Sequence, residues 1–121
     1  MHGLGIDFLE IERLERVLRR WPKLTQRLYS EQELTYAHSK ARPGQHLAAR
    51  FCAKEAVAKA LALSAWRARD IEVVQTGGAP HIRLQGELGR YVEASGLKIE
   101  LSLTHDRGMA GAVAIAIAAH S

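Results

Sequence analysis

The 121-residue sequence holds a single cysteine, Cys52. No disulfide can close within the chain, and no zinc site can be assembled from several thiolates. Aromatic residues make up only 6%, which leaves few platforms for stacking bases and weighs against single-stranded nucleic acid as a partner. No apolar run approaches the roughly 20 residues a membrane-spanning helix needs. The most apolar stretch, Met109 to Ala119, is short and alanine-rich, which suits a buried strand or core segment. The opening residues, Met1-His2-Gly3-Leu4-Gly5-Ile6-Asp7, lack a charged region followed by a long apolar one and do not read as a signal peptide. These absences lead to the expectation of a cytoplasmic protein with neither a membrane nor a nucleic acid among its partners.

What is present is globular in composition: 47% apolar and 25% charged residues. Seventeen Lys and Arg against thirteen Asp and Glu give a net charge of +4, a balance that fits a phosphorylated cofactor or an acidic protein partner. There is no internal repeat, low-complexity block or linker, so residues 1–121 read as one domain. A domain of this size buries a modest core, and association of copies would help to stabilise it.

Hydrophobic periodicity gives the elements. Residues 2–8 alternate as a strand, with Leu4, Ile6 and Phe8 on one face and Gly3, Gly5 and Asp7 on the other. Residues 10–21 read as a helix with Ile11, Leu14, Leu18 and Trp21 toward the core, Arg13, Arg16 and Arg20 on another face, and Pro22 as its stop. Ser30-Glu31-Gln32-Glu33 has the form of a capping box. Residues 38–45 read as a loop with Pro43-Gly44 as a turn, followed by a helix over 47–63. Residues 71–74 and 80–84 form a predicted hairpin around Gly77-Gly78, residues 86–94 a helix, and residues 98–104 and 109–118 two more strands. Mixed elements with hairpins in the second half imply an α+β fold, a mainly antiparallel sheet packed against helices.

Four features could carry chemistry, and each has a plainer structural reading. Glu55 and Lys59 are four apart on the long helix, the spacing of a surface ion pair. With Arg50 and Lys54 nearby, the same charge crowd suits a site handling phosphate and metal together. Asp7 has the place of a helix cap, or of a second carboxylate for Mg²⁺, which uses one or two carboxylates plus phosphate oxygens and water. Ser102, Thr104, His105 and Asp106 read as a strand end and its turn. A Ser-His-Asp hydrolase is weakly supported, because there is no Gly-x-Ser-x-Gly elbow and adjacent strand residues point to opposite faces. The stripe of Arg13, Arg16 and Arg20 is either a solvated face or a recognition surface for an acidic helix.

The order of these pieces resembles the bacterial holo-acyl-carrier-protein synthases, the short type of 4′-phosphopantetheinyl transferase. Residues 3–13 (GLGIDFLEIER) resemble the family's first motif. Residues 49–61 (ARFCAKEAVAKAL) resemble its second and most specific one. Residues 70–73 with Gly78-Ala79-Pro80 resemble its hairpin, and residues 101–106 (LSLTHD) its third motif. The resemblance implies the transferase fold, assembled as a homotrimer with sites between subunits. It implies transfer of 4′-phosphopantetheine from coenzyme A to a serine of an acidic acyl carrier protein, with release of 3′,5′-ADP. By position, Asp7 and Glu55 match Mg²⁺ ligands and Lys59 a catalytic lysine near the pyrophosphate. Arg42, Arg50, Lys59, Pro80, Thr104 and His105 match coenzyme A contacts, and Arg13, Arg16 and Arg20 lie on the helix that would meet the carrier protein. Two residues depart from the pattern. Ala79 stands where a lysine is usual, removing a charge at the nucleotide's edge, and Cys52 stands where a small residue is usual, a conservative change for a core position. A module that binds coenzyme A without transfer, a basic nucleic-acid-binding domain and a structural subunit of a larger synthase are the competing readings. The Glu residues interleaved with Arg in residues 10–20 count against the second.

Overall fold

The computed structural model describes residues 2–119. Its elements, in order, are β1 (Gly3–Glu10), α1 (Ile11–Arg20), α2 (Leu24–Leu28), α3 (Glu31–His38), α4 (Pro43–Ala60), a 3₁₀ turn (Ala68–Asp70), β2 (Ile71–Val74), β3 (His81–Leu84), α5 (Gly86–Ala94), β4 (Leu97–His105) and β5 (Met109–Ala118). β1, β5 and β4 form one antiparallel sheet with β5 in the middle, and β2 and β3 form a separate antiparallel hairpin. The expected α+β class with antiparallel sheet packed on helices is what the chain adopts.

The register explains why the helix α4 lies so close to this sheet. Gly5 pairs with Ala114 and Ala114 with Leu101, while Asp7 pairs with Ala112 and Ala112 with Leu103. The α4 side of the sheet therefore carries Gly3, Gly5, Asp7 and the buried Ala110, Ala112, Ala114 and Ala116. A methyl group at Gly3 or Gly5 would run into the backbone carbonyl of Ala60 or Ala56 on α4. Only glycine admits this approach of strand to helix. The alanine-rich tail is thus a core strand, buried because its small side chains let a helix rest on it.

The other face of the sheet is different. Leu4, Ile6 and Phe8 are 56%, 58% and 70% exposed. The register places them beside Ile115, Val113 and Gly111, and among the described residues nothing covers them.

Of the two charged side chains buried on α4, Lys54 and Arg50, the first has a carboxylate partner. Lys54 and Glu33 are fully enclosed and paired at 2.9 Å. Lys54 Nζ also donates to the carbonyls of Ala68 and Ile71 (2.8 and 2.6 Å), so all three of its donors are used. Glu33 Oε2 accepts from the Val73 backbone N–H at 2.8 Å, and its Oε1 from Ser30, completing the expected capping box. This network pins the β2–β3 hairpin to α3 and α4.

Three expectations from periodicity need correction. Pro43-Gly44 is no turn: Pro43 is the first residue of α4, where a missing N–H costs nothing and the fixed φ suits a helix. The helix accordingly starts and ends a few residues before 47–63. Trp21 does not face the core. It is the C-cap of α1, with φ −126° and ψ 72°, so it leaves the helical face and lies 58% exposed with the Arg20 guanidinium 5.3 Å from its ring. The short helix α2 lies where no element was expected.

Candidate active site

Asp7 projects from the edge strand β1 toward α4 because Gly5 and Asp7 share a face. On α4, Glu55 and Lys59 follow each other at one helical turn. Lys59 Nζ reaches across to Asp7 Oδ1 at 3.3 Å and to the Ile6 carbonyl at 3.0 Å. Lys59 and Glu55 thus do not form the simple surface pair that their spacing permits, and Asp7 is not a helix cap: the N-cap of α1 is Glu10.

Electrostatics mark the three residues as one unit. Partial burial, and then the charge of Asp7, raise the pKa of Glu55 above the ordinary carboxylate value, with Lys59 opposing. Two carboxylates held close enough to repel, with a lysine beside them, are a starting point for cation binding. Burial pushes the neighbouring Cys52 thiol up to about 12, with Asp7 adding to the rise. It therefore stays protonated and supplies no thiolate. The donor set is oxygen only, which suits a hard cation such as Mg²⁺. Among the described residues no cluster of three or more His, Cys, Asp or Glu side chains forms a metal cage. Two carboxylates leave coordination positions free for oxygens of a substrate, in keeping with the habits of Mg²⁺.

Glu55 also lines an open groove of about 1010 Å³, together with Phe51, Trp66, Arg27, Arg67 and Arg69. The three arginines escape a sequence reading because they lie outside every motif, on α2 and around the 3₁₀ turn.

A second cluster lies on the N-terminal half of α4. Arg50 is buried to 1% exposure. Its guanidinium carbon is 4.1 Å from the Tyr36 ring centre, one of its nitrogens donates to Gln75 Oε1 at 3.2 Å, and its Nε has no partner. Burial lowers its pKa, against opposing contributions from Tyr36 and Glu33. Gln75 in turn donates to the Gly78 carbonyl at 3.2 Å, tying Arg50 to the turn that carries Ala79 and Pro80. His105 ends β4 against the ring of His46, 5.2 Å between centroids. His46 was not singled out from sequence, although it stands four residues before Arg50 and so shares its helix face. Arg42 pairs with Glu15 at 2.9 Å and donates to the Arg107 carbonyl at 2.9 Å, in the loop just after His105. Arg42 and Arg50 thus lie on the N-terminal half of α4 with His105 packed against it through His46, and Arg50 is tied through Gln75 to the turn ahead of Pro80, while Glu55 and Lys59 lie on the C-terminal half.

Thr104 is not in that cluster. It pairs with Gly111 in the row of Phe8, on the uncovered face of the sheet, opposite to His105. Ser102 shares that face. Asp106 uses Oδ1 to accept the Gly108 and Met109 backbone N–H groups at 2.9 Å each, which is the turn expected from its sequence. A Ser-His-Asp arrangement is absent from these residues. Arg13, Arg16 and Arg20 all lie exposed on α1, with Arg16 3.4 Å from Glu12.

Comparison with known proteins gives the family. Residues 3–118 match the model of the 4′-phosphopantetheinyl transferase superfamily. The chain is 44% identical over 119 residues to the holo-[acyl-carrier-protein] synthase of Streptomyces coelicolor, covering 94% of this chain and 95% of that one. It is 42% identical over 115 residues to that of Moorella thermoacetica, covering 92% and 90%. Among solved structures, the Neisseria meningitidis synthase superposes with a TM-score of 0.88 at 25% identity, covering 97% and 98% of the two chains. The Helicobacter pylori synthase, solved in complex with coenzyme A, superposes with a TM-score of 0.81 at 28% identity, covering 94% and 99%. With the family model, the curated relatives and the solved folds all in agreement, the chain belongs to the 4′-phosphopantetheinyl transferase superfamily, as an enzyme of the holo-[acyl-carrier-protein] synthase kind.

Proposed function

We propose that this enzyme transfers 4′-phosphopantetheine from coenzyme A to a serine of an apo acyl carrier protein, releasing 3′,5′-ADP, with Mg²⁺ required. The observation that carries the proposal is the convergence of Asp7, Glu55 and Lys59 across the β1–α4 contact, in a chain similar to holo-[acyl-carrier-protein] synthases over nearly its full length. Residues 1–121 then act as one transferase domain.

The bond that forms joins the serine oxygen to the β-phosphorus of coenzyme A, and the bond that breaks joins that phosphorus to the oxygen that leaves with 3′,5′-ADP. Phosphoryl transfer of this kind depends mainly on positioning and charge neutralisation. Asp7 and Glu55 would hold the Mg²⁺, which supplies neutralisation of the diphosphate charge when bound. Lys59, released from Asp7, would hold charge on the leaving diphosphate oxygen. The serine proton would pass to Glu55 or to a water at the site, both of which stand where the hydroxyl would attack. Arg42, Arg50, Pro80, Thr104 and His105 are assigned to coenzyme A by their match to the family motifs. Arg13, Arg16 and Arg20 supply an exposed cationic face for an acidic carrier protein.

A homotrimer in the cytoplasm completes the reading. The bare apolar face of β1 supports self-association. Among the described residues, no helix is long and apolar enough to cross a membrane.

The test is mass spectrometry of an apo carrier protein incubated with enzyme, coenzyme A and Mg²⁺. A mass gain of one phosphopantetheine group is expected, and none with a chelator, with Asp7→Asn or with Glu55→Gln. Coenzyme A binding without any mass gain would reduce the protein to a binding module.

A further inference from the structure

Glu55 lines the open groove of about 1010 Å³ in company with Arg27, Arg67 and Arg69. All three arginines are exposed, and among the described residues none of them forms an ion pair. The other carboxylate on the groove, Asp70, stands beside Gly86 at the start of α5. Half-buried Phe51 and Trp66 add apolar surface to the lining. The segment that carries Arg67 and Arg69 is tied to the helix that carries Glu55. The Asp70 N–H donates to the Arg67 carbonyl at 3.0 Å and closes the 3₁₀ turn. The carbonyls of Ala68 and Ile71, on either side of Arg69, both accept from Lys54 Nζ. Lys54 is fully enclosed and immediately precedes Glu55. The backbone that presents these two arginines is therefore registered against the transfer site by a buried lysine with no donor to spare.

We infer that Arg67 and Arg69 form a second docking surface for the carrier protein, which pairs with carboxylates close to the acceptor serine as that serine reaches Glu55. The inference rests on the proposed transfer reaction and names specificity residues outside the α1 stripe. Two substrates could fill a groove that opens on Glu55. One is the pantetheine arm of coenzyme A. It carries amides, a hydroxyl and a thiol but no formal charge, so it leaves the guanidinium groups without a counterion. The diphosphate does not supply one either, because Asp7 and Lys59, which would meet it, do not line this groove. The other candidate is the protein substrate. A protein segment brings apolar side chains for Phe51 and Trp66 together with carboxylates for the arginines, and a carboxylate matches the guanidinium fork with two parallel hydrogen bonds. The groove also continues the surface already assigned to this partner. α2, which carries Arg27, follows α1 after residues 21–23. A carrier protein that fits both surfaces has Asp or Glu side chains near its serine in the fold, and Arg67 and Arg69 select for them.

The rate of mass gain on the carrier protein, measured at varied concentrations of carrier protein and of coenzyme A, tests this. Arg67→Glu with Arg69→Glu should raise the KM for carrier protein about tenfold or more and leave that for coenzyme A near its native value. Arg67→Gln with Arg69→Gln removes the charge without adding repulsion. It should raise the same KM less and flatten the fall of kcat/KM with added salt. Exchange of charge on the partner separates contact from a structural effect. A carrier protein whose carboxylates nearest the serine are changed to lysine should be a poor substrate for the native enzyme and a better one for the Glu variant. A change that merely loosened the groove would lower the rate with both carrier proteins. An unchanged KM for carrier protein in both variants would overturn the inference. So would an equal or larger rise in the KM for coenzyme A, which would give the groove to the donor. Transfer by the native enzyme with either of those results sinks this inference alone. A native enzyme that leaves the carrier protein unmodified sinks the proposed function and this inference with it.

Discussion

Two charged residues one position apart on α4, Lys54 and Glu55, have opposite duties, and burial separates them. Lys54 is fully enclosed, with three acceptors around Nζ. Removing it leaves Glu33 buried and uncompensated, so Lys54→Met should cost about 3–5 kcal/mol, measured as a fall in the urea midpoint. Glu55 is half-buried and repelled by Asp7. Its pKa is raised on folding, so in the metal-free protein its contribution to stability is present at low pH and is lost as pH rises through the folded value. At neutral pH Glu55→Gln should therefore stabilise the metal-free protein by about 0.5 kcal/mol, discounted for solvent screening. The same variant loses transfer. Thermal unfolding with and without Mg²⁺ checks this: native protein should gain from the ion and the variant should not. A variant that is both less stable and inactive would count against the carboxylate pair as a cation site.

At the level of elements, much of the fold is legible in the sequence because most strands alternate and most helices carry caps or periodic apolar residues. The capping box at Ser30 and the alternation of residues 98–104 each have a local physical cause, and both are present in the fold. What fails is whatever depends on a neighbour. Trp21 has the right spacing for the core, but its backbone leaves the helix one residue too early. Pro43-Gly44 carries the chemistry of a turn and equally that of a helix start, and only the chain ahead of it decides. His46 meets His105, and the arginines at 27, 67 and 69 line one groove with Glu55, only through the tertiary fold, which spacing does not reveal. Asp7, Glu55 and Lys59 were legible through motif resemblance, not through any local signal. Their meeting depends on Gly5, where α4 touches β1. Gly5→Ala should force the two elements apart, costing about 1–3 kcal/mol or more, and should lower transfer more than coenzyme A binding as Asp7 loses its place beside Lys59. Paired titration and rate measurements distinguish that outcome from simple unfolding. α1 makes an independent prediction. Its arginines lie exposed, away from the carboxylate site, so Arg13→Glu with Arg16→Glu should raise the KM for carrier protein roughly tenfold or more while leaving that for coenzyme A near its native value. Added salt should weaken the native interaction in the same direction. An equal rise in both KM values would remove α1 from the docking surface.

For the whole molecule, the question is what covers Leu4, Ile6 and Phe8. A sheet with one face on a helix and an apolar other face is incomplete as a free monomer. The placement of the site residues makes the same point in chemical terms. Asp7, Glu55 and Lys59 converge at the β1 edge, while His105 lies two strands away on β4 and Thr104 looks out from the uncovered face. If three copies close over that face, one chain's carboxylates can work with another chain's His105. Complementation tests this more sharply than mass alone. Asp7→Asn and His105→Ala should each inactivate the enzyme. Chains of the two variants, unfolded together in equal amounts and refolded, should assemble at random. A site drawing Asp7 from one chain and His105 from its neighbour is then intact in about one quarter of cases, because each contribution is native with a chance of about one half. Transfer should return to roughly that fraction of the native rate, and neither variant refolded alone should recover any. If mixed oligomers of three chains form, as light scattering would reveal, and no activity returns, then each site lies within one chain and the bare face serves stability alone.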